Sequence, residues 1–168
     1  GCATISDSCG NLLFYSNGLN VWNSAHNPMP NGTGLVGDMS SSQTALIVPK
    51  PGESDIYYLF TVPAFANSPG MAYSIIDMSL DFGLGDVVTK NISLAPSVTE
   101  KLTCIPHTNN IDYWVIAHEY GTDRFISYLV DASGVSSAPV YSATGSTIGL
   151  VPNDEIGYLK ANSDGTKV

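Results

Sequence analysis

Positive charge is scarce in this sequence. Six Lys and Arg stand against 15 Asp and Glu over 168 residues, a formal net charge of −9. Phosphate backbones and anionic lipid surfaces are bound through clustered Lys and Arg, so nucleic acid and membrane-surface partners are disfavoured by sign. Charge of either sign is thin, at 12 % of residues, about half the usual share of a soluble domain. No apolar run approaches the roughly 20 residues of a membrane-spanning helix, so membrane insertion is not expected. Helical stretches are missing as well. Sixteen Gly and ten Pro punctuate the chain, and no stretch of about 12 residues with helical apolar spacing escapes them. Cysteine is limited to Cys2, Cys9 and Cys104, an odd count that implies no disulfide framework. Cys2 and Cys9 flank a turn-like segment and could bridge a hairpin, with Cys104 a buried thiol in an apolar strand; alternatively all three are small hydrophobes.

Common enzyme signatures are also missing. There is no Gly-x-Ser-x-Gly elbow and no phosphate-cradling loop ending in Gly-Lys-Ser/Thr. Gly83-Leu84-Gly85 reads as a turn before a strand. His118-Glu119 lacks the second histidine of a zinc-protease helix and sits in a strand pattern, where that spacing splits ligands between faces.

What is present is an internal repeat. Ala45-Leu46-Ile47-Val48-Pro49, a Pro51-Gly52 turn, Ile56-Tyr57-Tyr58-Leu59-Phe60-Thr61-Val62, Tyr73-Ser74-Ile75-Ile76-Asp77 and Gly85-Asp86-Val87-Val88 follow one another as short strands. The order returns as Leu102-Thr103-Cys104-Ile105-Pro106, a turn through Asn109-Asn110, Tyr113-Trp114-Val115-Ile116-Ala117, Ser127-Tyr128-Leu129-Val130-Asp131 and Gly134-Val135. From Val48-Pro49 to Ile105-Pro106, Tyr57-Tyr58 to Tyr113-Trp114 and Ile75-Ile76-Asp77 to Leu129-Val130-Asp131 the offset stays within about 54 to 57 residues, the period of a four-stranded repeat unit. Ala3 to Asn11 opens an earlier unit, and Gly157-Tyr158-Leu159-Lys160-Ala161-Asn162-Ser163-Asp164-Gly165 repeats that opening. The units fall near 1–40, 41–96 and 97–148, with a truncated fourth at 149–168 in a single domain.

The segments 56–62 and 113–117 are apolar on both faces, which a sheet packed between two neighbouring sheets requires and a half-wet sheet does not. A parallel α/β sheet would need crossover helices the chain lacks. The fold expected is therefore all-β: a partial β-propeller of about three four-stranded antiparallel blades plus the start of a fourth, with a β-sandwich as the alternative.

These residues carry a family resemblance. Ile5-Ser6-Asp7, Gly10-Asn11-Leu12-Leu13-Phe14-Tyr15, Val21-Trp22-Asn23 and Met29-Pro30-Asn31-Gly32 lead into Val48-Pro49-Lys50-Pro51-Gly52 and Tyr57-Tyr58-Leu59-Phe60-Thr61. Tyr73-Ser74-Ile75-Ile76-Asp77-Met78, Gly83-Leu84-Gly85-Asp86-Val87, Glu100-Lys101-Leu102, Tyr113-Trp114-Val115-Ile116-Ala117-His118-Glu119 and Gly157-Tyr158-Leu159-Lys160 continue it. Together they resemble the N-terminal region of large secreted Bacteroidota proteins, which often carry PKD-type domains and a type IX secretion or gliding-motility sorting tail. The resemblance implies a secreted or cell-surface location and a propeller-like fold that runs on past Val168. It brings no catalytic residues.

The titratable residues that stand out are Glu100, His107, His118 and Glu119, with Tyr120 beside them. If the turn at 108–111 closes an antiparallel hairpin, Glu100 and Lys101 lie across from His118 and Glu119. Such a cluster is either a cross-strand ion pair or a ligand site at the mouth of the ring. His26 reads as a loop residue. Asp123, Asp154 and Glu155 are weak calcium candidates, against ordinary turn chemistry in which Asp binds its own backbone. No other metal or cofactor is expected. Trp22, Trp114, Tyr57, Tyr58 and Tyr113 read as packing between units, with sugar stacking as the alternative. Asn31-Gly32-Thr33 and Asn91-Ile92-Ser93 fit the glycosylation sequon and equally fit turns.

Function divides three ways: a non-catalytic binding or adhesion module for an unknown glycan or protein ligand, a propeller-type glycan lyase or hydrolase using Glu100 and Glu119, or a structural spacer. Self-association or further blades would cover the open faces of a three-unit piece.

Overall fold

The computed structural model describes residues 1–67, 69–162 and 165–168. Ser163 and Asp164, part of the fourth opening, lie outside the described residues. The chain forms three antiparallel sheets, each built in sequence order. The first holds β1 (Ala3–Ser6), β2 (Leu12–Ser16), β3 (Asn20–Asn23) and β4 (Pro28–Thr33). The second holds β5 (Ala45–Pro49), β6 (Ile56–Thr61), β7 (Met71–Asp77) and β8 (Asp86–Ala95). In the third, β9 (Val98–Pro106), β10 (Tyr113–Glu119) and β11 (Arg124–Asp131) are followed by two short strands, β12 (Gly134–Val135) and β13 (Val140–Ala143), which both pair with β11. Among the described residues the only helical element is a 3-10 turn at Asp81–Gly83.

Local chemistry explains why the sheets repeat. The third strand of each sheet ends on an Asn or Asp whose side-chain oxygen accepts the next free N–H groups. Asn23 accepts from Ala25 and Asn27, Asp77 from Ser79, and Asp131 from Ser133 and Gly134. These caps stand at one period and satisfy the donors that a chain reversal would otherwise strand. The hydrogen bonds hold the carboxyls of Asp7, at the first hairpin, and Asp131 below the ordinary carboxylate range.

The hairpin after each first strand is also a copy. Gly10 N–H donates to the Asp7 carbonyl while Asp7 N–H donates to Asn11. The same pair of bonds joins Glu53 to Lys50 and Lys50 to Ile56, then Asn110 to His107 and His107 to Asp112. It occurs a fourth time, from Gly165 to Asn162 and from Asn162 to Lys167. The inner bond spans three residues each time, while the closing bond spans four, six, five and five; the third and fourth turns match.

Packing follows the alternation of β6. Leu59, with Ile76, Met78 and Val87, faces the first sheet and meets Phe14, Val21, Met29 and Leu35. Tyr58 and Phe60, with Val48, Val62 and Met71, face the third and meet Val98, Leu102, Val115, Ala117, Ile126, Tyr128 and Val130. The second sheet thus hides both faces. The third does so in part: Val115 and Ala117 are in the core and, on the opposite face, Ile116 and His118 are buried while Trp114 is half-buried. Trp114 departs from the packing between units expected of it. Trp22 departs too, lying outside the core and stacking on its cross-strand neighbour Tyr15, with ring centroids 5.4 Å apart. The three cysteines are free, Cys2 and Cys9 at the surface and Cys104 half-buried, where burial raises the Cys104 thiol pKa.

Phe14 and Phe60 are fully buried on opposite sides of the second sheet. Either Phe→Ala change is expected to cost about 3–5 kcal/mol, measured by urea unfolding monitored by circular dichroism. A loss below about 1 kcal/mol at Phe60 would contradict its place between two sheets.

Candidate functional site

The five residues singled out in the sequence do not form one site. The β9–β10 hairpin keeps its register from Tyr113 opposite Pro106 to Ala117 opposite Leu102, then a bulge intervenes and Glu119 meets Val98. The bulge removes Glu100 from its expected place across from Glu119. Three residues of β9, 99–101, stand opposite the single His118 of β10; these two extra residues re-aim the side chains around them, and no periodicity announces this. His107 sits at the other end of the hairpin, seven residues from Glu100 along a strand that rises about 3.3 Å per residue, roughly 23 Å away.

Glu100 is almost completely buried, at 1 % exposure. One carboxylate oxygen accepts the Ser42 N–H at 2.7 Å and the Ser42 hydroxyl at 2.9 Å; the other accepts the Phe65 N–H at 3.1 Å. Its own N–H donates to the Glu155 carbonyl. Two separate segments therefore close on the side chain and a third on its backbone. Phe65 and Ala66 both have left-handed backbone, φ 56° and 52°, a conformation non-glycine residues adopt only when held there. The bond from Phe65 N–H to Glu100 is such a hold.

Gln43 plays the matching role and was not among the sequence candidates. Its side-chain oxygen accepts the N–H groups of Leu102 and Leu159, and its amide donates to the Leu159 carbonyl. One side chain thus links the first strand of the third unit to the opening of the fourth. The signal was in the repeat: the offset that aligns Val48 with Ile105 aligns Gln43 with Glu100.

Beside the bulge, Glu119 is held by Arg124, whose Nε donates at 2.8 Å, with a second guanidinium nitrogen at 2.6 Å. Arg124 also lies over the Tyr141 ring, 4.9 Å from its centroid. Lys101 donates to the carbonyls of Asp154 and Ile156, and burial lowers its pKa. His118 is buried against Phe125, and its Nδ1 finds no hydrogen-bond partner. Burial pushes the His118 pKa below its ordinary value. Tyr120 is partly exposed at the strand end.

The calcium candidates do not converge. The Asp154 carboxylate accepts the backbone N–H groups of Gly149, Leu150 and Val151, which lower its pKa. Glu155 is buried and Asp123 exposed. No group of three or more His, Cys, Asp or Glu is placed to hold a metal ion among the described residues. The two sequon asparagines, both at positive φ, bond across the first and second sheets: Asn31 donates to Asp86 and Asn91 to the Gly34 carbonyl.

At the opposite end of the hairpin the surface is hollow. A cavity of about 510 Å3 is lined by Ile105, Pro106, His107, Thr108, Asn110 and Trp114, with Gly165 and Thr166 on its far wall. The His107 and Trp114 rings lie 5.9 Å apart and tilted. The third hairpin turn forms one lip and the fourth turn the other. Two half-buried rings with neutral amide and hydroxyl groups form a surface for an uncharged polar ligand.

No family model, curated protein or solved structure matches the chain. No helix among the described residues is long and apolar enough to cross a membrane.

Two measurements follow. Glu100→Gln replaces an acceptor oxygen by a donor facing N–H groups and is expected to cost about 2 kcal/mol in urea unfolding, with the 42–43 and 64–66 segments losing exchange protection. For His118, a folded-state pKa below the unfolded value means that the unfolded chain binds the proton more readily. Its stabilising contribution is present above about pH 6.5 and is lost as the pH falls below that. A His118→Gln variant is expected to flatten the pH dependence of the melting temperature between about pH 5 and 6.5; an unchanged slope would show that His118 does not titrate with unfolding.

Proposed function

We propose that this chain is a non-catalytic binding or display module of a secreted or cell-surface bacterial protein, and that its sheets are units of a β-propeller. The propeller reading is supported by three meanders wired alike, by first strands that adjoin their successors (β1 beside β5, β5 beside β9), and by the fourth copy of the first-strand turn. The family resemblance set out above points to the same location and architecture.

One observation carries the functional reading. The carboxylates that a glycosidase would need are engaged in holding the fold: Glu100 by Ser42 and Phe65, Glu119 by Arg124. An acid–base pair requires two carboxyl groups facing one substrate bond. The open hollow instead presents Trp114 and His107 with the neutral groups of Thr108 and Asn110. That chemistry suits a neutral glycan, whose apolar ring faces stack on aromatics while its hydroxyls meet amides.

The test is an array of glycans and extracellular-matrix proteins, followed by titration of any hit. Saturable binding without turnover is expected, weakened about tenfold or more in a His107→Ala/Asn110→Ala double variant that melts at an unchanged temperature. An array at background, or a hit whose affinity ignores both substitutions, would remove this reading.

A further inference from the structure

The outer face of the third sheet is in register with a face that is buried elsewhere in the same molecule. Val48, Tyr58, Phe60 and Val62 of the second unit, with Ile75 beside them, lie between the second and third sheets. The offsets that define the repeat carry these positions to Ile105, Trp114, Ile116, His118 and Leu129. In the third unit Ile116 and His118 of that row are buried, Ile105, Trp114 and Leu129 are half-buried, and no complete sheet among the described residues lies upon it. Cavities of about 270 and 250 Å3 open along it, the first lined by Ile105, Trp114, Ile116, Ser127 and Val140, the second by Ile116, Phe125, Ser127, Ser142, Thr144 and Val168. Close packing is the rule in protein interiors, so unfilled space along an apolar row marks a missing neighbour. The unpartnered Nδ1 of His118 lies on the same row, where the second unit has the aliphatic Val62.

The neighbour has already begun. The turn at Asn162 and Lys167 reproduces the backbone bonds of the three earlier first-strand hairpins. Gly165 lies against Ile105, and Val168 lies by Ile116 and Phe125. Gln43 ties Leu159, in the extended segment leading into this turn, to Leu102 of β9. We propose that the outer face of the third sheet is a docking surface for a fourth antiparallel sheet of the same repeat, nucleated on the Asn162 turn. This rests on the propeller reading. Its side chains facing the row are apolar at the positions equivalent to Val115, Ala117, Ile126, Tyr128 and Val130, the set with which the third sheet covers the second. Affinity comes from main-chain pairing onto 166–168 and from burial of the row, as in other strand additions.

The test extends the full chain. Because Lys167 stands where Asp112 stands in the preceding turn, a second copy of residues 114–143 appended after Val168 continues the register. A control extension carries the same residues in shuffled order. The unextended chain should bind a hydrophobic dye such as anilinonaphthalene sulfonate. The native-order extension should lower that signal at least about threefold and resist protease, while the shuffled one does neither. Ile105→Asp in the native-order chain should restore both dye binding and cleavage within the extension. Val140→Asp, at an exposed position of the same face, serves as the second variant if Ile105→Asp fails to fold. Equal dye binding with both extensions, or protection that survives both substitutions, would overturn the proposal. Ile105 and Trp114 belong both to this row and to the hollow, so the glycan array is run on the unextended chain; a background array there leaves the extension result standing, and a failed extension leaves glycan binding by that chain standing.

Discussion

The fold depends on one constraint: the second sheet must lose water from both faces. β6 alternates Leu59 toward the first sheet with Tyr58 and Phe60 toward the third. An antiparallel sheet with one wet face would carry polar residues at every second position, and β6 carries none between Ile56 and Phe60. Each outer sheet buries one face against the middle one, and the two outermost faces carry Trp22 and Trp114, both half-buried.

The constraint was legible in the sequence because it is periodic. Period-two alternation, turn residues at fixed offsets and a repeat of about 54 to 57 residues are all properties of residue types along a line. The grouping of Glu100, His107, His118 and Glu119 rested on assuming that the hairpin register ran unbroken, and one bulge was enough to separate them. Bulges leave little trace in composition, since the inserted residue has no preferred type beyond its backbone geometry. His107 is apart for a simpler reason: seven residues from Glu100 is most of the nine-residue length of β9. Gln43 was missed because an uncharged amide attracts no attention in a search for chemistry, although its alignment with Glu100 was available.

Low charge explains how the chain uses the charges it has. With 15 acidic residues and few cations, most carboxylates cannot be paired with Lys or Arg. Asp77, Asp131 and Asp154 accept backbone N–H groups in turns, and Glu100 does the same in the interior. Hydrogen bonds from N–H groups stabilise an anion without the need for a counterion and are stronger than bonds between neutral groups. A buried carboxylate satisfied in this way fixes geometry: it imposes the position of every donor it meets. That is why Glu100 can hold Phe65 and Ala66 in a backbone region they would leave if released.

Holding the fold and meeting a ligand are consequently separated in space. The bulged end of the third sheet, where Glu100, Lys101, Glu119 and Asp154 lie, is occupied by bonds among its own segments. The hairpin end is built by a backbone bond pattern that recurs with four different residues at its head, Asp7, Lys50, His107 and Asn162. A turn held by its main chain leaves its side chains free to vary without loss of shape. The hollow between the His107 and Asn162 turns is of that kind: its walls are set by the repeat, and its chemistry is set by His107, Thr108 and Asn110 of the turn together with Trp114, which also stands on the outer row of the sheet. Recognition placed on the turns can change from one unit to the next while the sheets beneath them stay the same.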